Sequence, residues 1–271
     1  MTTINLLRYS LKVGKNKLRR FAEMETFENV FQPSHEDVWD KEFRLKGKWN
    51  KEYFKNDNPI VLEVGCGKGE YTVGLAQRFP EKNFIGIDIK GARLWQGATI
   101  ANEEGLKNVA FVRTKVELLR SVFATGEISE VWITFADPQM KKVTKRLTGT
   151  RFMKLYSDLM ISNGMIHLKS DSQFLYEYTR YMIKENNLKV LTDTDDLYNS
   201  EHANDILGIK TYYEAQFLSK GIPIKYLQFL LEGKAEFVEP DVEIELDEYR
   251  SFGRDRRKQP TEEKHKIQKK D

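Results

Sequence analysis

The chain of 271 residues is poor in the side chains that build covalent or metal frameworks. It holds one cysteine, Cys66, which excludes an internal disulfide and a cysteine-rich metal site. Its four histidines, His35, His167, His202 and His265, lie far apart without ligand spacing. They read as structural or solvated, and no metal is expected. No apolar run approaches the roughly 20 residues of a membrane span. The first twenty residues show no apolar stretch ahead of a small-residue cleavage site. Internal repeats are absent. The expectation is a soluble cytoplasmic protein with no membrane contact, monomer or homodimer.

Net charge is also small, at +3, but it is strongly segregated. Residues 8–20 carry six Lys/Arg and no acid, and residues 138–151 carry five and no acid. Residues 250–271 carry nine Lys/Arg against four acids. Such clusters suit a polyanionic partner, although any one of them equally fits a solvated face or a tail. The chain divides into four segments. Residues 1–20 form a basic arm, and 21–58 an aromatic-rich extension that packs on the main domain. Residues 59–231 form that main domain, and 232–271 a charged tail, largely disordered. Within the tail, "DVEIELDE" (241–248) reads either as a half-exposed strand or as a non-specific acidic stretch.

From residue 60 the pattern alternates. Short apolar runs at 60–64, 83–88, 109–113, 131–137, 164–170 and 188–194 predict buried strands. Helical spacing fills 70–79, 92–105, 116–123, 150–162 and 171–186 between them. A further helix (210–221) and a last strand (224–231) complete the series. Strict β–α alternation with continuous apolar strands predicts an α/β fold: a mostly parallel, seven-stranded Rossmann-like sheet with helices on both faces.

The first strand runs into "LEVGCGKGEY" (62–71), where Gly65, Gly67 and Gly69 allow tight turning and close approach to a ligand. The GxGxG spacing is neither the dinucleotide GxGxxG nor a P-loop. Glu63, just before the glycines, would repel a pyrophosphate and suits an ammonium or sulfonium. Asp88 ends the second strand, placed to grip the hydroxyls of a ribose. The combination describes a site for S-adenosylmethionine, over the carboxyl ends of the strands, as in class I methyltransferases.

Further motifs carry a family resemblance. "LEVGCGKGEY", "FIGIDIK", "FADPQMKKVTKRL", "IHLKSD" and "TYYEAQF" occur in the order found in bacterial tRNA (guanine-N7-)-methyltransferases, and "GKNKLRRFAEMETFENVFQP" and "KGKWNKEYF" are similar to segments of that family. The resemblance spans roughly residues 14–231. It implies methyl transfer from S-adenosylmethionine to N7 of a guanine in the tRNA variable loop, conventionally position 46. Carried over residue by residue, Glu63, Gly65, Gly67 and Asp88 bind the cofactor. Asp137 matches an acid assigned both to the cofactor and to catalysis. Lys141, Asp171 and the stretch from Thr211 to Glu214 match substrate-binding positions. Lys142, Lys145 and Arg146 belong to a basic loop suited to tRNA phosphates.

Two departures stand out. Relatives carry an aromatic residue after the Asp-Pro pair, where this chain has Gln139-Met140. Relatives also place an acid where this chain has Lys115, so adenine recognition falls to backbone atoms around residues 114–116. Local readings compete at three places. Asp137 and Asp171 each stand where a helix N-cap is expected, and Thr211 with Glu214 has the spacing of a capping box. The alternatives to tRNA methylation are a methyltransferase acting on another RNA or a small molecule, and a non-catalytic RNA-binding protein.

Overall fold

The computed structural model describes residues 17–249, so the basic arm up to residue 16 and the tail from residue 250 lie outside the described residues. Eight strands form one sheet in the order β1-β4-β3-β2-β5-β6-β8-β7. They are β1 (Val30–Phe31), β2 (Ile60–Val64), β3 (Asn83–Ile87), β4 (Val109–Val112), β5 (Ile128–Thr134), β6 (Met160–Ser170), β7 (Lys189–Thr194) and β8 (Lys225–Leu231). Every pairing from β1 to β6 is parallel; β8 runs antiparallel to both β6 and β7. The chain leaves β2 for β3 on one side and later returns to β5 on the other. The carboxyl ends of β2 and β5 therefore flank a topological switch point, where a ligand crevice forms in open sheets of this kind.

The helices are α1 (Lys17–Glu25), α2 (His35–Val38), α3 (Glu70–Arg78), α4 (Gly91–Glu103), α5 (Leu119–Val122), α6 (Thr150–Leu159), α7 (Gln173–Glu185) and α8 (Tyr212–Leu218). The central strands are buried on both sides, so their side chains divide between two cores. Ile60, Leu62 and Val64 face the core shared with Trp49, Phe152 and Tyr156. Val61 faces the core shared with Tyr71, Phe84, Phe111 and Trp132. The same alternation turns Glu63 toward the second face, beneath α3.

The aromatic extension is more regular than the expected irregular segment. It contributes α1, the two-residue β1 and a π-helical turn over Trp49–Phe54, and β1 makes the sheet eight-stranded rather than seven-stranded. Trp49 is fully buried; its indole donates to the Val122 carbonyl at 3.1 Å, and its ring stacks on Phe123 at 5.7 Å. The Tyr53 hydroxyl donates to the Val109 carbonyl at 2.8 Å. Packing of this kind seals the β4 edge, which would otherwise expose a row of backbone groups.

Several predicted boundaries move. The helix expected to reach residue 162 stops at Leu159, and β6 begins at once with Met160, which pairs with Ile128 across an irregular register. The strand expected to end at Asp137 ends at Thr134, because Phe135 turns into the left-handed region with φ 50°. Asp137 thus lies in a loop beyond the sheet.

Candidate functional site

Three left-handed glycines, Gly65 (φ 74°), Gly67 (φ 57°) and Gly69 (φ 69°), carry the chain from β2 into α3. At Gly69 the need for glycine is twofold. The backbone is left-handed, and an added Cβ would lie 2.6 Å from the Phe111 ring. Asp88 ties the turn together: its Oδ2 accepts from the Gly67 amide at 3.0 Å and its Oδ1 from the Lys90 amide at 2.7 Å.

Beside this turn opens a cavity of about 590 Å³, whose wall includes Gly65, Asp88, Ile89, Thr114, Val116 and Leu118. The donor set fits S-adenosylmethionine. Each Asp88 oxygen keeps acceptor capacity beyond its one backbone N–H, which suits two ribose hydroxyls. Ile89, Val116 and Leu118 offer apolar surface for a flat base. Lys115 also lines the cavity, between the backbone groups of Thr114 and Val116.

Glu63 does not line the cavity. Its carboxyl is buried, with Oε2 accepting from the Thr72 amide at 2.8 Å and Oε1 from the Thr134 hydroxyl at 2.6 Å. It braces the glycine turn from beneath by linking β2, α3 and β5. Burial pushes its pKa up to about 7, against the lowering effect of its hydrogen bonds from Thr134 and Thr72.

The loop after β5 is held from several sides. Asp137 is exposed, and its Oδ1 accepts from the Gln139 amide at 3.0 Å. This contact closes a tight Asx-type turn rather than capping a helix. Phe135 and Gln139 both adopt left-handed φ, 50° and 48°, a conformation that costs a non-glycine residue about 1–2 kcal/mol. Such strain persists only where the surroundings over-determine it. Here Arg146 is the restraint. Its guanidinium donates to the carbonyls of Pro138 (3.1 Å), Gln139 (3.2 Å) and Met140 (3.4 Å), and stacks over Tyr178 at 3.9 Å. Arg146 is only 4% exposed, so it is an internal brace, not the phosphate contact that a run of cations predicts. Lys141 and Lys142 do stand exposed. Lys145 is exposed too, but it pairs with Glu117 at 2.7 Å and lines the cavity.

The last group is buried. Thr211 and Glu214 form a complete capping box on α8. Glu214 also pairs with Lys169 at 2.8 Å, both side chains being fully buried. The Lys169 ammonium donates further to the carbonyls of Leu207 (2.5 Å) and Ile209 (3.2 Å). Burial lowers the Lys169 pKa while Glu214 opposes that shift. The amino end of α8 reaches the cofactor side: the Tyr212 amide donates to Glu70 at 3.1 Å, and Arg93, on the cavity wall, lies 5.5 Å from the Tyr213 ring. Asp171 is not the cap of α7; Ser172 is, accepting from the Leu175 amide at 2.9 Å. Asp171 is instead fully buried, and its Oδ2 accepts from the Tyr249 hydroxyl at 2.6 Å.

The structure thus brings Gly65, Asp88 and Lys145 to one cavity, and ties the Asp137 loop to it through Lys145 and through Leu147, which lies over Gly65. Glu63, Asp171 and Glu214 lie inside the protein. Lys169, Asp247 and Tyr249 escaped sequence reasoning, and Arg146 was read there as a phosphate contact rather than as an internal brace. A lysine in the expected buried strand "IHLKS" was the one available signal, since a charge in a buried strand implies a buried partner. Residues 241–247 are neither strand nor loose: Asp247 is buried within a segment that runs back to the site.

Comparisons with known proteins identify the family and the fold. Residues 57–227 match the model of a family described as "Putative methyltransferase". A tRNA (guanine-N(7)-)-methyltransferase of Bacteroides fragilis is 59% identical over 245 residues, covering 90% of this chain and 97% of that protein. One from Porphyromonas gingivalis is 58% identical over 240 residues, 87% of this chain and 98% of that protein. Among solved structures, the 16S rRNA methyltransferase KamB shares the fold with a TM-score of 0.53 at 13% identity, over 67% of this chain and 92% of that one.

Proposed function

We infer the working of the site from one premise: the chain belongs to the tRNA (guanine-N(7)-)-methyltransferases, and it transfers a methyl group from S-adenosylmethionine to N7 of a guanine in tRNA. Asp88 holds the ribose, the apolar wall from Ile89 to Leu118 holds the base, and Glu63, once ionised, favours the cationic end of the cofactor from beneath the glycine turn. The bound cofactor supplies an electrophilic methyl on a sulfonium.

Guanine N7 is a lone-pair nucleophile with no proton to remove, so no general base is required. The ring gains positive charge as the methyl arrives. Asp137 serves as an orienting acceptor for guanine N–H groups and as a counter-charge. Orientation of this kind contributes up to about 7–11 kcal/mol in well-aligned systems, which is the physical use of a strained loop clamped by Arg146. Lys141 and Lys142 meet the phosphates, with the variable loop at position 46 as the target. Whether one or two copies act, a tRNA substrate suits the expected cytoplasmic location.

The observation that carries this reading is the cavity at the switch point, with Asp88 on its wall and the Asp137 loop anchored beside it. The test is transfer of label from S-adenosylmethionine to unmodified tRNA, followed by chain cleavage at 7-methylguanosine. Label at position 46 that falls steeply with salt supports the reading, because phosphate contacts are salt-dependent. Absence of transfer at every salt concentration overturns it.

A further inference from the structure

We propose that the acidic segment after β8 completes the guanine site, with Tyr249 as the residue that meets the base and Asp171 acting through it. This rests on the reading of Asp171 as part of the substrate site.

Residues 232–249 hold eight acids and one lysine, yet the segment takes a defined path along α7. At the far end of that helix, Asn186 exchanges two hydrogen bonds with the Val238 backbone, each 2.8 Å. Midway, Glu239 accepts from the Tyr178 hydroxyl at 2.6 Å and from the Thr150 hydroxyl at 2.8 Å. At the amino end of α7, buried Asp247 accepts from the Phe174 amide at 3.1 Å and from the Ser172 hydroxyl. A carboxylate suits that position, where backbone N–H groups converge. The Asp247 amide points to the Met140 sulfur at 3.3 Å. Met140 directly follows Gln139, the position at which relatives carry an aromatic residue after the Asp-Pro pair, so the segment is tied in beside that divergent position.

These anchors deliver Tyr249. Its ring meets Phe217 of α8 edge-on at 6.1 Å, and Phe217 stacks with Phe135 at 6.2 Å. One aromatic chain thus joins the C-terminal segment, the helix that begins at Thr211, and the loop that carries Asp137. The Tyr249 hydroxyl is 2.6 Å from Asp171 Oδ2.

Burial decides the order of action. Asp171 is 0% exposed, whereas Tyr249 is 36% exposed. A base arriving from solvent meets the tyrosine before the acid. With its proton directed to Asp171, the phenol oxygen acts as an acceptor, matched to the N–H edge of guanine. Its ring offers a face on which a base can stack. The acid orients the phenol and makes it a better acceptor.

Three single variants and one double variant test this: Tyr249→Phe, Tyr249→Ala, Asp171→Asn and Asp171→Asn/Tyr249→Phe, each assayed for kcat and KM with tRNA and for Kd with S-adenosylmethionine. Tyr249→Ala is expected to lower kcat/KM for tRNA by more than about tenfold, and Tyr249→Phe by several-fold, the scale of a hydrogen bond between neutral groups. Cofactor Kd stays at the wild-type value, which shows that the cofactor half is intact. Because Asp171 acts through the hydroxyl, the double variant Asp171→Asn/Tyr249→Phe is expected to be no worse than the worse single one. Wild-type kcat/KM in both Tyr249 variants overturns the proposal, and so does a double variant whose defect is the product of the singles. A wild-type Asp171→Asn enzyme overturns the underlying reading instead, and absence of methyl transfer by the unaltered protein overturns the functional premise.

Discussion

The two halves of the sheet are built by different physics. Between β2 and β4, the site is made of backbone. Three glycines turn the chain, and Asp88 fastens the turn through two amides. From β5 onward, the site is made of side chains that reach across to other segments. Lys169 meets Glu214, Asp171 meets Tyr249, and Arg146 clamps the Asp137 loop from eight residues away. The first half depends on local conformation and tolerates little change of shape. The second depends on buried charge and tolerates little change of partner.

The sharpest way to break that contrast is to remove one partner of the buried pair. Glu214→Ala leaves Lys169 as an uncompensated internal charge, and urea unfolding should show a loss of about 3–5 kcal/mol. Replacing both residues by apolar ones should recover most of it, because the cost lies in the orphaned charge. Gly69→Ala attacks the other half through shape. The left-handed φ and the clash with Phe111 should together cost about 2–4 kcal/mol, with cofactor binding lost in parallel by calorimetry. Arg146→Lys retains charge but lacks the planar fork that reaches three carbonyls. It should lower kcat by roughly tenfold or more while cofactor Kd stays put, since misplacing a catalytic group by about 1 Å can cost about a hundredfold.

A pH series separates the halves more finely. Folded Glu63 keeps its proton to about pH 7, whereas the unfolded chain releases it near the ordinary value of about 4.3. Between those limits the folded state binds more protons, so stability falls as pH rises. A cationic ligand favours the ionised carboxyl, so cofactor affinity should rise with pH up to about 7 and then level. Glu63→Gln should flatten that rise in a titration series; an unchanged slope would remove Glu63 from cofactor recognition. The smallest effect is expected at Gln139. Its φ of 48° suits glycine, and Gln139→Gly should raise stability by about 1 kcal/mol in thermal melts.

Legibility in the sequence divides the same way. The alternation of strands and helices, the glycine turn and Asp88 are local patterns, and they were readable, with element ends off by a few residues. The run of cations after Asp137 was readable as charge but not as direction. Lys141 and Lys142 face solvent, whereas Arg146 turns inward onto three carbonyls and Tyr178. Glu63 was readable as an acid at the turn, but its neighbours Thr72 and Thr134 come from two other elements. The acidic stretch 241–248 gave no hint that Asp247 is buried at the amino end of α7.

The sequence by itself determined the alternation of strands and helices from β2 onward and the glycine turn after the first of them. Those depend on side-chain periodicity and on backbone conformations that few residue types allow, both of which are encoded within a few neighbouring positions. Only the tertiary structure decided which charges are internal. Whether an ion is solvated or paired depends on residues that arrive from tens of positions away, such as Glu214 against Lys169 and Tyr249 against Asp171. A charge buried without such a partner is too costly to persist, so each of these pairings was set by the packing of the chain.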